Sequence, residues 1–158
     1  CKNVLFEEAT GVPLIVRMPG AAANGQACDG IVELVDLFPT LADCLGLPLP
    51  RHTLDGETLR PWLDGAPELR NKVSAYSAIG HGDVRGYSVR REHLRYSQYR
   101  RRGQVVETEL YDLSADPHEH RNRAGDPAFA DLEASLAADL RARFPAMAQA
   151  SPARTGGE

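Results

Sequence analysis

Three places in the sequence carry side chains that could take part in chemistry. His118, Glu119 and His120 are two imidazoles and a carboxylate at consecutive positions, and these groups are common zinc ligands. Lys2 is a cation beside the start of the chain and could bind an anion. His81 lies between two glycines in a segment that we expect to be a loop, from which it could reach over a pocket.

Each of these features also has a purely structural interpretation. The two neighbouring histidines follow an Asp-Pro pair, so a solvent-facing turn is favoured over a metal site, and we predict no metal ligands. A glycine-rich surface loop explains His81 at least as well as a binding role does. Most lysines are exposed, and nothing local distinguishes Lys2 from them. The sequence contains no G-x-S-x-G elbow, phosphate-binding G-x-x-x-x-G-K run or dinucleotide-binding glycine pattern, so it offers no independent catalytic centre.

Composition excludes several classes of protein. The chain has 158 residues, 42% of them hydrophobic and 25% charged, which is ordinary for a globular domain with a core. A net charge of -4 does not favour a nucleic-acid surface, and we interpret the arginines between Arg90 and Arg102 as solvated strand faces and a hairpin tip. No apolar run is long enough to cross a bilayer. Three widely spaced cysteines favour neither a disulfide framework nor a zinc site of paired C-x-x-C ligands.

The first third of the chain predicts two short strands and a helix. Val12 to Arg17 is apolar and β-branched, as in a buried strand, and Ile31 to Val35 is a second extended run. A helix should begin after Asp36, whose carboxylate is interpreted as its N-cap rather than as a catalytic group. The helix should end at Gly46. Its apolar face would consist of Phe38, Leu41 and Leu45.

The second half predicts an antiparallel meander followed by a helix. Four extended segments rich in aromatic and β-branched residues are joined by short turns: Val73 to Ile79, Gly86 to Arg91, Leu94 to Tyr99 and Val105 to Leu113. From about Ala128 to Phe144, apolar residues recur at helical spacing, so this helix should lie across the sheet.

These elements predict an α/β fold: the edge of a large mixed sheet with a covering helix, followed by a small antiparallel sheet packed by a C-terminal helix. We place the first part in residues 1–49, a connection in 50–70, the antiparallel sheet and its helix in 71–145, and a disordered tail in 146–158. The chain opens at Cys1 without an initiator methionine and leads directly into a structural element, so we expect it to be a fragment.

Several segments, taken in order, resemble the C-terminal portion of a type I sulfatase of the alkaline phosphatase superfamily. The resemblance runs from Lys2 to about Phe144 and is greatest to the iduronate-2-sulfatase-like branch. The segments that carry it are Lys2 with Leu5 to Thr10 and Val12 to Val16, Val35 to Leu41, Leu54 to Gly56, Gly86 to Arg90, Leu94 to Tyr96, and Glu109 to Leu113 with Asp116, Pro117, Glu119 and Asn122.

The resemblance implies a sulfuric ester hydrolase that acts on a sulfated sugar or a similar sulfate ester. Such enzymes use a formylglycine made within a C-x-P-x-R motif and a calcium ion. None of the three cysteines here is followed by that motif, so we expect calcium and formylglycine only in the complete enzyme and no activity from this chain alone. Residues 1–49 would be the end of the catalytic domain. Lys2 matches the family's catalytic lysine, and His81 becomes a candidate for contacting an anionic sugar.

Two alternatives remain open. A phosphonate or phosphate ester hydrolase of the same superfamily would share much of this pattern. A non-catalytic module could instead bind a partner through its arginine-rich sheet. The sequence specifies neither the ester, the cellular compartment nor the oligomeric state.

Overall fold

The computed structural model describes residues 4–66 and 72–148, which form two compact units. The first, the sheet unit, contains the residues up to Val12 together with those from Tyr76 onward. The second runs from Pro13 to Ala75, and we call it the α2 unit after its main helix, α2 (Leu37–Cys44). The first residues of the chain thus group with the C-terminal sheet rather than with the residues that directly follow them. In these two ranges, no helix is long and apolar enough to cross a bilayer.

The sheet unit is built on a four-stranded antiparallel sheet, which confirms the predicted meander. The strands are β1 (Ser74–His81), β2 (Val84–Arg91), β3 (Leu94–Arg101) and β4 (Gln104–Asp112), and their order in the sheet is their order in the chain. The turn between β3 and β4 places Arg102 and Gly103 at φ values of 51° and 81°. Two positive φ values suit the tight turns whose twist matches that of the flanking strands.

One face of the sheet is apolar and carries the main core. Val89, Tyr96 and Leu110 lie on neighbouring strands and pack against Leu136 and Leu140. The last two belong to helix α4 (Ala130–Arg143), which follows a single 3-10 turn capped by the Asp126 carboxylate. The predicted C-terminal helix over the sheet is therefore confirmed, and it begins two residues later than expected.

The chain remains ordered a little beyond the predicted start of the tail. Pro145–Ala148 forms a 3-10 turn, and the buried side chain of Met147 joins the core. This apolar contact compensates for the entropy lost in ordering the turn, so the prediction of disorder was wrong for these residues. The rest of the predicted tail lies outside the described residues.

The outer edge of β4 is closed by a turn rather than by another strand. Asn122 accepts a hydrogen bond from the Leu110 N–H at 2.9 Å and donates one to the Thr108 carbonyl at 3.0 Å. The Arg123 N–H donates to the Leu110 carbonyl at 2.8 Å. Backbone groups that would otherwise attract a foreign strand are thus satisfied within the chain.

The α2 unit contains helices α2 (Leu37–Cys44) and α3 (Arg60–Leu63), and no β-strand lies in residues 4–66. The predicted strands at Val12 to Arg17 and Ile31 to Val35 were wrong for this structure. A strand needs a neighbour for its hydrogen-bond ladder, and no described segment supplies one to either run. The first run stays irregular with Ile15 93% exposed, and Leu34–Asp36 forms a 3-10 turn.

Helix α2 ends as predicted, but the face that it buries is not the predicted apolar face. The Gly46 N–H donates to the Asp43 carbonyl and the Leu47 N–H to the Ala42 carbonyl, while Gly46 adopts a φ of 64°. This is the paired C-terminal cap that glycine permits. The described residues bury Pro39, Thr40 and Ala42, whereas the predicted apolar face is exposed: Phe38, Leu41 and Leu45.

Candidate functional site

Of the two predicted site residues, only His81 lies within the described residues. Lys2 lies outside the described residues. The predicted loop around His81 was wrong: His81 is exposed but is the last residue of strand β1, and the turn that follows consists only of Gly82 and Asp83. The site is therefore built from the segment that follows Lys2 and from the surface on which that segment lies.

The segment after Lys2 is anchored on the face of the sheet opposite α4. Leu5 is fully buried, and its Cδ1 lies 2.9 Å from the position that a Cβ on Gly86 would occupy. The ring of Phe6 meets the ring of Tyr111 edge-on, with 6.0 Å between centroids. The short helix α1 (Glu7–Thr10) then begins, and the N–H of Glu7 donates to the carboxylate of Glu119 at 2.6 Å. Apolar burial and a charge-assisted hydrogen bond together fix this segment.

The face that receives the segment is polar, although it is buried. Its residues alternate with those of the core along β2, β3 and β4 and pair across the strands: Ser88 with Ser97, Arg90 with Arg95, Arg95 with Tyr111, and Ser97 with Glu109. The Ser97 hydroxyl donates to the Ser88 hydroxyl oxygen at 3.0 Å. A polar face can be buried in this way only when its groups find partners.

Arg95 is the centre of this face, with 3% of its side chain exposed. Its Nε lies 2.8 Å from Glu119 Oε1, and its Nη2 contacts Glu7 Oε2. Arg90 Nε lies 3.4 Å from the same Glu7 oxygen. We call these four residues the Arg95 cluster: Glu7, Arg90, Arg95 and Glu119. Two cations thus face two carboxylates, so the cluster is electrically balanced.

The His118–Glu119–His120 motif is divided between two environments. The imidazoles of His118 and His120 stack with 5.7 Å between centroids, whereas the Glu119 carboxylate turns inward to Arg95. Burial raises the pKa of Glu119 above its ordinary value, while the Glu7 N–H and the Arg95 charge act in the opposite direction. Across residues 4–66 and 72–148, no three His, Cys, Asp or Glu side chains converge to hold a metal ion.

Asp36, which was predicted to cap a helix rather than to act in catalysis, is fully buried in the α2 unit. Its carboxylate accepts hydrogen bonds from Lys72 Nζ at 2.8 and 3.0 Å and from the N–H groups of Glu57 and Glu33 at 2.9 Å each. Burial acts to raise the pKa of Asp36, but these hydrogen bonds outweigh it and lower that pKa below its ordinary value. It caps the 3-10 turn before α2 rather than α2 itself, so its described role is structural.

Glu109 is the carboxylate of the polar face whose ionisation should oppose folding. Burial raises its pKa above the ordinary value, and the negative charges of Glu107 and Glu119 act in the same direction. The Tyr99 hydroxyl, 3.3 Å from Glu109 Oε2, compensates only in part. Because the folded state holds the proton more tightly than the unfolded state, stability should fall as the pH rises through this titration.

We therefore expect Glu109→Gln to raise the thermal unfolding midpoint by a few degrees at about pH 8 and to change it little at about pH 4. Thermal melts followed by circular dichroism at the two pH values would measure this. Glu107→Gln is the matched control, because Glu107 is exposed on the same face of the same strand and should change the midpoint less. A lower midpoint for Glu109→Gln at about pH 8 would contradict the assignment.

Sequence reasoning missed the Arg95 cluster, although a signal was present. Leu94 and Tyr96 flank Arg95, so the arginine had to face the side of β3 opposite the apolar core. The burial of that side could not be read from the sequence, because it is created by residues nearly ninety positions earlier.

The sequence pattern of the family described as "N-sulphoglucosamine sulphohydrolase, C-terminal" matches residues 1–144. The chain belongs to this family of sulfatase C-terminal regions. Among curated relatives of this region, arylsulfatase K of Bos taurus is 32% identical over 151 residues, which cover 89% of the chain and 26% of that protein. The chain thus spans about a quarter of that relative's length.

Two solved structures resemble this sulfatase C-terminal region. A putative sulfatase from Bacteroides thetaiotaomicron superimposes with a TM-score of 0.60 at 30% identity, over 71% of the chain and 24% of the other protein. The phosphonate monoester hydrolase of Agrobacterium radiobacter gives a TM-score of 0.59 at 28% identity, over the same two shares. The α/β fold, with its four-stranded sheet and C-terminal helix, is therefore that of sulfatases.

Proposed function

We propose that this chain is the C-terminal part of a sulfuric ester hydrolase that acts on a sulfated sugar, and that Lys2 is a catalytic residue of the complete enzyme. The observation that carries this proposal is the family match over residues 1–144, whose description names a sulfated glucosamine. We place the complete enzyme in the iduronate-2-sulfatase-like branch on sequence resemblance, and that finer placement is part of the proposal.

Lys2 would act as a fixed positive charge. Its ammonium would contact a sulfate oxygen and stabilise the negative charge that develops as the ester bond breaks. The residues that follow Lys2 support this role, because the buried Leu5 and the hydrogen-bonded Glu7 attach that segment to the sheet. His81, exposed at the β1–β2 turn, is proposed to contact the sugar.

The described residues do not fit the calcium ion of the family, because no three potential acidic, histidine or cysteine ligands converge in them. None of the cysteines lies in a C-x-P-x-R motif either. We therefore assign both the calcium ligands and the formylglycine to segments upstream of this chain, and we expect the chain alone to be inactive.

The exposed apolar residues of the α2 unit support docking onto such an upstream segment. Leu34, Phe38, Leu41 and Leu45 follow each other at helical spacing, with more than half of each exposed. Contiguous exposed apolar residues of this kind mark an interaction surface. We propose that residues 1–49 are the end of the catalytic domain and that this apolar surface docks onto the upstream part of it.

The direct test compares this chain with the same chain preceded by its upstream coding region. We expect hydrolysis of an aryl sulfate and of a sulfated glucosamine by the longer protein only. In that protein, Lys2→Met should lower kcat by about 100-fold, because the ammonium acts mainly on the developing charge. Lys72→Met is not a suitable control, since Lys72 pairs with buried Asp36. Arg102→Met serves instead, because Arg102 is exposed in the turn between β3 and β4. Full activity in Lys2→Met would refute the assignment.

A phosphonate or phosphate ester hydrolase is the second candidate, and the resemblance to the phosphonate monoester hydrolase structure favours it. Measuring kcat/KM of the longer protein on matched aryl sulfate, phosphonate monoester and phosphate ester substrates would separate the two. A preference for the phosphonate by tenfold or more would replace the sulfatase proposal.

A binding module that uses free arginines receives less support. Arg91 pairs with Asp139, Arg101 Nε lies 3.4 Å from Asp83, and Arg100 donates to the Gly103 carbonyl. These arginine side chains thus already have partners within the chain. Retention of this chain on heparin, lost with modest salt, would revive that alternative.

A further inference from the structure

We propose that the Arg95 cluster positions the catalytic lysine, with Glu7, Arg95 and Glu119 acting as one unit. The inference rests on the proposed function of Lys2 and concerns residues to which no role in the reaction has been assigned. The cluster connects three segments that are far apart in the sequence: the start of α1, strand β3 and the turn after β4. Its ion pairs, together with the hydrogen bond from the Glu7 N–H to Glu119, fix the segment after Lys2 on the sheet.

The ion pairs of the cluster are largely buried. Arg95 and Glu119 expose only 3% and 2% of their side chains, while Glu7 exposes 38%. Without the Glu7 carboxylate, two guanidinium groups would share the single carboxylate of Glu119, and an uncompensated positive charge at a largely buried site is unfavourable. The two carboxylates are therefore held together by one shared cation, and displacing Glu7 disturbs the entire cluster.

The backbone of Glu119 has an unusual conformation. Glu119 adopts a φ of 55°, which is uncommon for a residue other than glycine, asparagine or aspartate. A non-glycine residue stays in this region only when its surroundings stabilise it there. Glu119 is stabilised by Arg95 and by the Glu7 N–H, so its turn is shaped to present a carboxylate to the start of α1.

Lys2 is close to the anchored residues along the chain. Leu5 is buried against the sheet and Glu7 is held by the cluster, and Lys2 is only three residues before Leu5. Three peptide units limit the separation of the two Cα atoms to about 11 Å. Fixing Leu5 to Glu7 therefore restricts the volume that the Lys2 ammonium can sample, which is how a residue without substrate contact raises the rate.

The anchoring is tested first in this chain, by hydrogen exchange of the amides of residues 5–10. Glu7→Gln keeps the size of the side chain and removes its charge, and Glu8→Gln makes the same charge change at an exposed neighbouring position. We expect exchange in residues 5–10 to become at least about tenfold faster in Glu7→Gln and in Arg95→Met, and to be unchanged in Glu8→Gln. Amides of the β3–β4 ladder serve as the control for global unfolding. Equal protection in Glu7→Gln and Glu8→Gln would overturn the anchoring.

The positioning role is tested in the longer protein by a double-mutant cycle. Glu7→Gln should lower kcat by about tenfold with little change in KM, and Glu8→Gln should lower neither. In the Lys2→Met background, Glu7→Gln should cause no further loss, because its effect acts through the lysine. Additive losses would show that Glu7 acts independently of Lys2 and would overturn the proposal. If the wild-type longer protein hydrolysed no sulfate ester, the proposed function itself would fail, while the exchange experiment would still decide whether the cluster anchors the segment.

Discussion

Replacing Asp36 by alanine is expected to lower the free energy of unfolding by about 3–5 kcal/mol. The carboxylate is fully buried and accepts hydrogen bonds from the Lys72 ammonium and from two backbone N–H groups, those of Glu33 and Glu57. Alanine would leave the two N–H groups without this acceptor and would deprive Lys72, which is itself only 9% exposed, of one of its two carboxylates. Each loss is costly because water cannot readily replace a partner at a buried position.

Urea unfolding followed by the fluorescence of Trp62 would measure this loss. Trp62 is the single tryptophan and packs against Gly30 within the α2 unit, so its emission reports on that unit. Asp43→Ala is the matched control: Asp43 is an exposed aspartate of α2 that accepts a hydrogen bond from the Thr58 hydroxyl. We expect it to cost about 1 kcal/mol or less. Equal losses in the two variants would contradict the central role of Asp36.

The pH dependence provides a second readout of Asp36. Its pKa is lowered in the folded state, so the folded state binds its proton less tightly than the unfolded state does. The resulting stability is present above the ordinary carboxyl pKa of about 3.9 and is lost as the pH falls through the lowered value. The difference between wild type and Asp36→Ala should therefore shrink below about pH 4, and a difference that grew on acidification would have the wrong sign.

Local signals were sufficient to predict much of the fold. The sheet was predicted because aromatic and β-branched residues such as Val89 and Tyr96 favour strands, and because short joins between the segments favour a meander. The structure shortens each of these joins to two residues. The end of α2 was predicted because Gly46 can adopt the positive φ that its cap requires. These features depend on residues that are close together in the sequence.

Features that depend on distant segments were not predicted. The run from Val12 to Arg17 has the composition of a strand, but strand formation depends on a neighbour, and no described segment provides one. Helical spacing correctly placed Phe38, Leu41 and Leu45 on one side of α2, but it could not show that this side is exposed in the structure. The Arg95 cluster was not predicted either, because it forms only when α1, which is distant in the sequence, lies on the sheet. The role of Lys2 remains a prediction from resemblance.

Replacing Gly56 by alanine should be as damaging as removing the Asp36 carboxylate, although it adds only one methyl group. A Cβ at this position would lie 2.0 Å from the Val35 carbonyl oxygen and 2.4 Å from its carbon, far inside van der Waals contact. Both neighbouring atoms belong to the backbone, so no side chain can rotate away. The two segments must separate, and we expect a loss of about 3 kcal/mol or more. Gly80→Ala is the matched control, because the atoms nearest to its Cβ would belong to the flexible Arg85 side chain, at 3.3 Å, which can move.

The close approach at Gly56 also explains why the two largest effects should be coupled. It brings the N–H of the next residue, Glu57, to within 2.9 Å of Asp36 Oδ1, so separating the segments breaks a hydrogen bond to the buried carboxylate. In the Asp36→Ala background that hydrogen bond is already lost, and Gly56→Ala should cost about 1 kcal/mol less than it does in the wild type. Urea unfolding of the two single variants and the double variant, followed by Trp62 fluorescence, would measure this coupling. Strict additivity would show that Gly56 is required only for space and not for the hydrogen bond to Asp36.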